Sequence, residues 1–543
     1  MVPTKVVRGL LLGLALLALA VPSGAAVTVP STASGAPPAT ELPVVDGKIQ
    51  LALDQAVGLA LEHNLGLRVQ RFVRSESWFG ILQSRGVYDL NLTGELTTLD
   101  NTSAQVSQIT ASSFKQQTFN LGLDRNVPTG ANLALDFNNT RQESDVVFNA
   151  LNPSYDSFLR LSAVQPLLRN FGRDAIERGI RIARADSAAS KSEFERQVVD
   201  TVQQVTVAYW NLVAARDQLK VAEESLGLAK ELHERNKIQV NVGTMAPLEL
   251  VQSEAAIATR EEDIIRAQAA VGDAADQLRQ LLDVPAGGAW TADVVPTTEP
   301  ETERVTLDVE ESLATAYASR PEIRAQESAI EHLEVESDYF RNQKKPRLDL
   351  SLGYRFNGAG GTLRRDPVTG APLAHPISGG FSDDLNQIKS LDFRGWSAGL
   401  TFGLPLENRT ARAQSLIANL NLEQGRVTLD QVKSQITTEV RTAVRAVLTA
   451  AKQIDAARFS VTSQEKNLEA EKKRYENGIS TSFRINQIQD DLTQARSREV
   501  SAIVNYRTSL AAYYKAIGKL LDQHNVEIEE PAGEPKAAGG IGR

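Results

Sequence analysis

The sequence predicts an α+β membrane protein assembled as an internal tandem duplication, with groups of amphipathic strands set between very long helices. Three observations carry this reading. Six stretches alternate polar and apolar residues with a period of two, the helical stretches keep heptad seams over many turns, and the pattern recurs 235 positions later.

Lys5 and Arg8 precede an unbroken small and apolar run from Gly9 to Val21, followed by Pro22, Ser23, Gly24 and Ala25. A charged start, an apolar stretch and small residues are the parts of a signal peptide, so residues 1–25 are expected to direct export. A retained helical anchor would need about twenty apolar residues. No later stretch reaches that length, so any insertion into a membrane has to be by strands. Residues 26–50, rich in Ser, Pro, Ala and Thr, read as an extended leader.

The first repeat is expected over 51–300. Leu53, Ala56, Val57, Ala60, Leu61 and Leu67 recur at helical spacing, and the pattern runs to about Gln83. Within 87–165, alternation predicts strands at about 87–99, 116–124, 131–139 and 157–165, separated by a Pro128-Thr129-Gly130 turn and by loops rich in Asn and Ser. No helix intervenes, so these strands pair antiparallel. Past Pro166 the period changes: Val202, Val205, Ala208, Leu212, Ala215, Leu219, Ala222, Leu226 and Ala229 form a seam at intervals of three and four. The long helix is expected over 175–241, a rod on the order of 100 Å at 1.5 Å per residue. A shorter helix follows over 247–282.

The second repeat, 301–521, has the same order. A helix from about Leu307 is followed by strands within 347–404 (RLDLSLGYRF and GWSAGLTFG), Pro405, a long helix over 409–476 and a shorter one over 482–520. Val440, Ala443, Val447, Ala450, Ile454, Ala457 and Val461 each stand 235 positions after a seam residue of the first half, and Gly478 stands 235 after Gly243. Unrelated coiled coils would share the heptad but not this punctuation. The segment 358–389, with its glycines, prolines and Asp383-Asp384, is expected as an external loop; residues 522–543 are expected as a flexible tail.

Composition excludes several function classes. The chain has no cysteine, so disulfides and cysteine metal sites are absent, and a formal charge of −9 argues against a nucleic-acid partner. The five histidines are scattered, giving no metal-ligand spacing. Glu261, Glu262 and Asp263 read as a solvated helix face. No serine lies in a nucleophile elbow, and the GAGG at 358–361 lacks the lysine of a phosphate loop. No catalytic residue and no cofactor is expected.

The order helix, strands, proline, very long helix, glycine turn and shorter helix, repeated after a signal peptide, resembles the outer-membrane efflux protein family, the TolC-like channels. LDQAVGLALEHNLGLRVQ resembles the family's opening helix, QPLLRNFG and LPLENRTARAQ its strand-to-helix junctions, and KKRYENGISTSFRINQIQDDLTQAR its second helical turn. The likeness spans about residues 50–521. It implies a homotrimer sharing one transmembrane β-barrel in outer-membrane lipid, continued by a periplasmic α-helical barrel. It also implies docking to an inner-membrane transporter through a periplasmic adaptor. A trimer also suits the physics, because a partial sheet in lipid leaves edges whose unpaired groups cost several kcal/mol each.

One departure concerns the strands. The family pattern has two per half, whereas the first half here offers four. Either the hairpin around NVPTG adds two strands to the wall, or it leaves a barrel of ordinary size as an excursion; the excursion is expected. Pro166 and Pro405 suit the strand-to-helix junctions, since proline lacks a ladder donor, although a proline merely opening a helix would stand at the same place. Tyr88, Phe119, Phe137, Phe158, Tyr354, Phe356, Trp396 and Phe402 are expected to mark the membrane interfaces.

The resemblance further implies that the turns at Gly243 and Gly478 line a constricted entrance and present the adaptor surface, with Thr244, Gln252 and Gln487 among their residues. Glu249 and Tyr475 match positions where an acid and a tyrosine bond, so a latch between them is expected, against the alternative that each faces solvent. Arg484 and Gln487 stand where relatives carry aspartate rings, and Ser480 where a gate arginine is found. The function implied is the passive exit duct of an efflux or type I secretion system. The alternatives are a periplasmic helical scaffold without a pore, which would lack an apolar strand face, and a diffusion porin, which would need no helical rod.

Overall fold

The computed structural model describes residues 44–528 except 46, 105–110, 147–148, 285–287, 366–368, 373–376 and 378. The expected signal peptide, most of the leader and most of the tail lie outside the described residues. In order, the elements are β1 (Val44–Val45), β2 (Lys48–Leu51), α1 (Leu53–His63), α2 (Leu65–Arg85), β3 (Asn91–Thr102), β4 (Ser113–Asn126), β5 (Asn132–Ser144), β6 (Leu151–Pro166), α3 (Arg178–Asn241) and α4 (Leu248–Leu282). There follow β7 (Asp293–Pro296), α5 (Val309–Ser319), α6 (Pro321–Gln343), β8 (Arg347–Leu363), α7 (Phe381–Ser390), β9 (Phe393–Gly403), α8 (Arg409–Glu476) and α9 (Ser482–Ala516).

Six strands form one antiparallel sheet in the order β3-β4-β5-β6-β8-β9. The expectation that the NVPTG hairpin is an excursion is therefore corrected to this extent: its two strands are part of the sheet. Asn126 pairs with Asn132 across that turn, and both hairpin strands pair along their length with β3 and β6. Uninterrupted alternation on β4 and β5, with little to break either ladder, is the physical reason. The first strand begins at Asn91 rather than near Val87, because Gly86–Tyr88 form a one-turn 3-10 helix. Tyr88 accordingly leaves the strand set and donates to Glu177 Oε1 at 3.1 Å.

Register sorts the side chains into two faces. Successive residues point to opposite sides of a strand and directly paired residues share a side. One face carries Leu92 and Leu96, then Phe119, Leu121 and Leu123, then Leu133, Leu135 and Phe137, then Leu159, Leu161 and Ala163. It continues through Leu350, Leu352, Tyr354 and Phe356 to Trp396, Ala398, Leu400 and Phe402. The other face carries Glu95, Asn120, Asp136, Arg160, Arg355 and Ser397, with Arg160 bridging Asp136 at 2.9 Å and Asn120 donating to Glu95 at 3.0 Å. Phe158 belongs to this polar face, under the Arg355 guanidinium at 3.6 Å from the ring centre, so it is not part of an outward aromatic girdle.

The segment expected as an external loop from 358 to 389 is also corrected in part. β8 continues to Leu363, and α7 lies across it on the face that is apolar nearer the helices. Gly358 and Gly360 make this approach possible, since a Cβ at Gly358 would overlap the Asp384 backbone. Ser157 donates to the buried Asp384 carboxylate, and the Tyr155 and Phe381 rings lie 5.8 Å apart. The GAGG stretch is thus a bare strip of strand that receives a helix.

Below the sheet the helices stand four abreast. Next to the strands the packed order is α2-α3-α6-α8; farther away it is α4-α3-α9-α8. The two rods, α3 and α8, run through both rows as unbroken helices of 64 and 68 residues with mainly apolar seams. Val205, Leu212 and Val440 have no exposed surface, and Val447 has 2%. Where the rows meet, a collar forms around Tyr209 and Trp210, with β2 paired parallel to β7 and antiparallel to β1. The stretch expected as leader is therefore structured at 44–45 and 48–50, where β2 runs into the first repeat: Tyr209 Oη donates to the Leu51 carbonyl at 3.0 Å and accepts from Thr298 N at 2.9 Å. The first residues of the expected tail likewise pack back, with His524 Nδ1 2.9 Å from Asp54.

Candidate pore entrance and membrane wall

At the end remote from the sheet, α3 and α8 each stop in the same way. Gly243 (φ +78°) and Gly478 (φ +72°) take the left-handed conformation that a glycine adopts without a Cβ penalty. Gly243 N donates to Val240 O at 3.0 Å and Thr244 N to Gln239 O at 2.9 Å; Gly478 N donates to Tyr475 O at 3.0 Å and Ile479 N to Arg474 O at 2.9 Å. These paired bonds satisfy the last carbonyls of each helix and reverse the chain into α4 and α9.

Side chains tie the two hairpins together. Tyr475, 5% exposed, donates to Asn236 Oδ1 at 2.6 Å and approaches Gln239 Oε1 at 3.3 Å. Glu249 accepts from Ser482 Oγ instead. The expected Glu249–Tyr475 latch is thus corrected: both residues join the hairpins, but through different partners. Asn236 is fully buried on α3 directly opposite the tyrosine and leaves its hydroxyl no need of the carboxylate. The Glu249 charge is still felt. Burial raises the Tyr475 phenol above its ordinary range, and the nearby carboxylate raises it further.

Ser480 bonds within its own hairpin, to Glu471, which also meets Arg474 at 3.3 Å. Thr244 caps the Gln239 carbonyl at 3.0 Å, and Gln252 is exposed on α4. Arg484 and Gln487 lie on the exposed face of α9, bonded to each other at 2.6 Å. One level above the tips, Arg260, 5% exposed, reaches from α4 to Ser225 at 3.0 Å and Asp490 at 2.7 Å. Asn236, Glu471, Ser482 and Arg260 did not stand out in the sequence. The first two had a readable signal: they are polar residues on the core side of the seams, and they are 235 positions apart.

At the strand-to-helix junctions, Pro166 is the last residue of β6, paired with Asp349, and the ladder continues one step beyond it through Leu167 N to Leu348 O at 2.7 Å. Pro405 lies outside the ladder, since β9 ends at Gly403. Pro405 thus does not cap a strand end; it occupies the loop that leads into α8. No helix of the described residues is long and apolar enough to cross a membrane, and no group of metal-ligating side chains occurs among them.

A sheet with an apolar band across one face, standing on a row of rods with polar-tied tips, is a wall segment of a membrane channel. Residues 130–283 and 313–519 match the outer membrane efflux protein family, and the chain belongs to it. Members of that family are passive conduits, so the chain is not an enzyme. The fold is similar to that of the outer-membrane channel OprN (TM-score 0.63, 16% identity, covering 86% of this chain and 90% of that one) and of CusC (0.62, 17%, 86% and 92%). It is also similar to the CmeC outer membrane channel of Campylobacter jejuni (0.60, 17%, 86% and 86%). No curated protein matches the chain.

Proposed function

We propose that three copies of the chain form the exit duct of an efflux or type I secretion system. The sheet would lie in outer-membrane lipid and the helices would reach into the periplasm, docked through an adaptor to an inner-membrane transporter. The observation that carries this reading is the apolar band that crosses all six strands on one face, on the side nearer the helices, while the opposite face is mainly polar at that level. A scaffold without a pore has no use for such a face. From Leu348 to Phe356 the apolar positions of β8 span roughly 26 Å along the strand, or about 20 Å of height at a 40° tilt, close to the outward apolar band of a membrane barrel.

The helix flanks support assembly in a ring. Leu65, Val69 and Phe72 on α2 and Leu248 and Val251 on α4 are exposed on one flank, and Leu416, Leu420, Val427 and Phe459 of α8 on the other. Two different apolar flanks joined head to tail close a ring. The tips at Gly243, Thr244 and Glu249, and at Tyr475, Gly478 and Ser480, form the periplasmic entrance and adaptor surface in this reading. Arg484 and Gln487 in place of acidic rings leave the entrance without strong block by multivalent cations.

The test is fractionation followed by planar-bilayer recording. The expected result is an outer-membrane trimer whose conductance resists multivalent cations, with Arg484→Asp introducing cation block. A freely soluble monomer overturns the channel reading; unchanged selectivity in Arg484→Asp removes residue 484 from the pore.

A further inference from the structure

Resting on that channel reading, we infer that the membrane wall is an eighteen-stranded barrel, six strands from each of three copies, sealed where β9 of one copy pairs with β3 of the next. The family pattern of two strands per half would give twelve. The hairpin β4–β5 supplies the difference, and the pore it makes is as wide as the helical tunnel beneath it.

Four features of the chain converge on this closure. First, the hairpin is built as wall: Leu121, Leu123, Leu133 and Leu135 continue the apolar face, and Asn120, Asp136 and Asn138 continue the polar one. A hairpin standing clear of lipid has no reason to keep that division. Second, β3 and β9 are the two free edges, and they run in opposite directions because they are the first and the sixth of six alternating strands. Joining them head to tail between copies therefore gives an antiparallel pair, with 12 residues on one side and 11 on the other. Leu92 and Leu96 then continue the face of Trp396, Ala398 and Leu400.

Third, the free edges stand over the free flanks. β3 follows α2 after one 3-10 turn and β9 leads through a short loop into α8, the two outer helices of the upper row. One head-to-tail contact thus buries the exposed apolar residues of the helices and pairs the exposed backbone of the strands together. Fourth, the widths agree. At about 4.8 Å spacing and about 40° tilt, six strands occupy about 38 Å of circumference and four only about 25 Å. Four helices abreast at about 8–10 Å occupy about 32–40 Å. Six strands fit the row they stand on. The wall then sieves nothing that the tunnel admits, and the limit on cargo size falls to the tips.

The chain has no cysteine, so single cysteines can be placed without background. In the full-length protein reconstituted in vesicles, spin labels at Leu123→Cys and Leu135→Cys are expected to meet lipid-soluble relaxers. Labels at Asn120→Cys and Asn138→Cys are expected to meet water-soluble ones. Leu352→Cys and Leu400→Cys, in β8 and β9, serve as wall controls. Thr97→Cys combined in turn with Gly395→Cys, Ser397→Cys or Gly399→Cys is expected to give a disulfide-linked trimer in at least one register. Water at all four hairpin positions, with the controls still in lipid, overturns the eighteen-stranded wall and leaves the channel standing; controls out of lipid overturn the channel itself. Failure of every β3–β9 pair to cross-link, in protein that remains trimeric, overturns the seam.

Discussion

At Gly243 and at Gly478 the chain closes a long helix with the same two hydrogen bonds and the same left-handed glycine, yet the surrounding side chains divide the work between them. The first tip, with Val242, Met245, Pro247 and Leu248, offers no hydroxyl to the second; it contributes the acceptors Asn236 and Glu249 and one partly exposed cation, Arg235, which donates to Glu476 at 3.0 Å. The second tip contributes donors: the Tyr475 phenol and the Ser482 hydroxyl. The positions that correspond to Tyr475 and Ser482 in the first half are Val240 and Pro247, which cannot donate from a side chain. A shared backbone frame with complementary chemistry gives each hairpin something the other lacks. Separation of the tips has to break those bonds while leaving both turns intact.

The largest effect is expected from Asn236→Leu. It leaves the buried Tyr475 hydroxyl with only the 3.3 Å contact to Gln239, a loss of about 1–3 kcal/mol for an unsatisfied buried donor. Tyr475→Phe alone should cost less, and adding it to Asn236→Leu should recover much of the loss, as a thermal-melt double-mutant cycle would reveal. Additive losses would break the comparison at its centre. Next come Gly243→Ala and Gly478→Ala. No atom lies within 4 Å of a Cβ at either position, so only the left-handed backbone is penalised, by about 1–2 kcal/mol each. Equal costs mark equal frames; a clear inequality in melting would mean that the two turns are not equivalent.

Ser482→Ala and Ser480→Ala sharpen the contrast further. Ser482 crosses between hairpins, whereas Ser480 bonds nine positions back within its own. Ser482→Ala is expected to cost about 0.5–1.5 kcal/mol, because water can reach Glu249, and to raise channel conductance by loosening the tips. Ser480→Ala should leave conductance unchanged. An effect from the second alone would reverse the assignment of which bond holds the hairpins.

Much of this architecture is legible in the sequence because long helices and alternating strands write their periods into it. The seam from Val202 to Ala229 needs no tertiary information to be recognised, and the alternation in ANLALDFNN already marks a two-faced strand. The place of that strand was harder to read: whether a hairpin joins a sheet depends on both its neighbours, and no local period records them. The partner of Tyr475 was missed for the same reason. Its acceptor is 239 positions away on another rod, and family likeness pointed to Glu249, whose charge is near but whose bond goes to Ser482. The bare strip at Gly358 could be read only once α7 was seen lying on it.

The smallest expected effect is a pH dependence one level above the tips, where Asp490 of the second hairpin meets Arg260 of the first at 2.7 Å. Burial raises the Asp490 carboxyl above its usual range, Arg260 pulls it down, and Asp491 and Asp263 add to the rise. The folded chain therefore holds this proton more tightly than the unfolded chain. The resulting stability is complete below the ordinary carboxylate value and is lost as pH rises through the raised folded value. The first half has no such feature among its tip residues, so acidification from neutral pH should relieve the desolvated, repelled Asp490 charge and stabilise the fold slightly, without touching the Tyr475–Asn236 pair. Melting temperature recorded from about pH 7 down to about pH 4 should include a small rise that Asp490→Asn flattens, small because the Asp490 side chain is 60% exposed and water screens it. A parent-like slope in Asp490→Asn would assign the titration to another carboxylate, and would leave the contact between the hairpins at this level independent of pH.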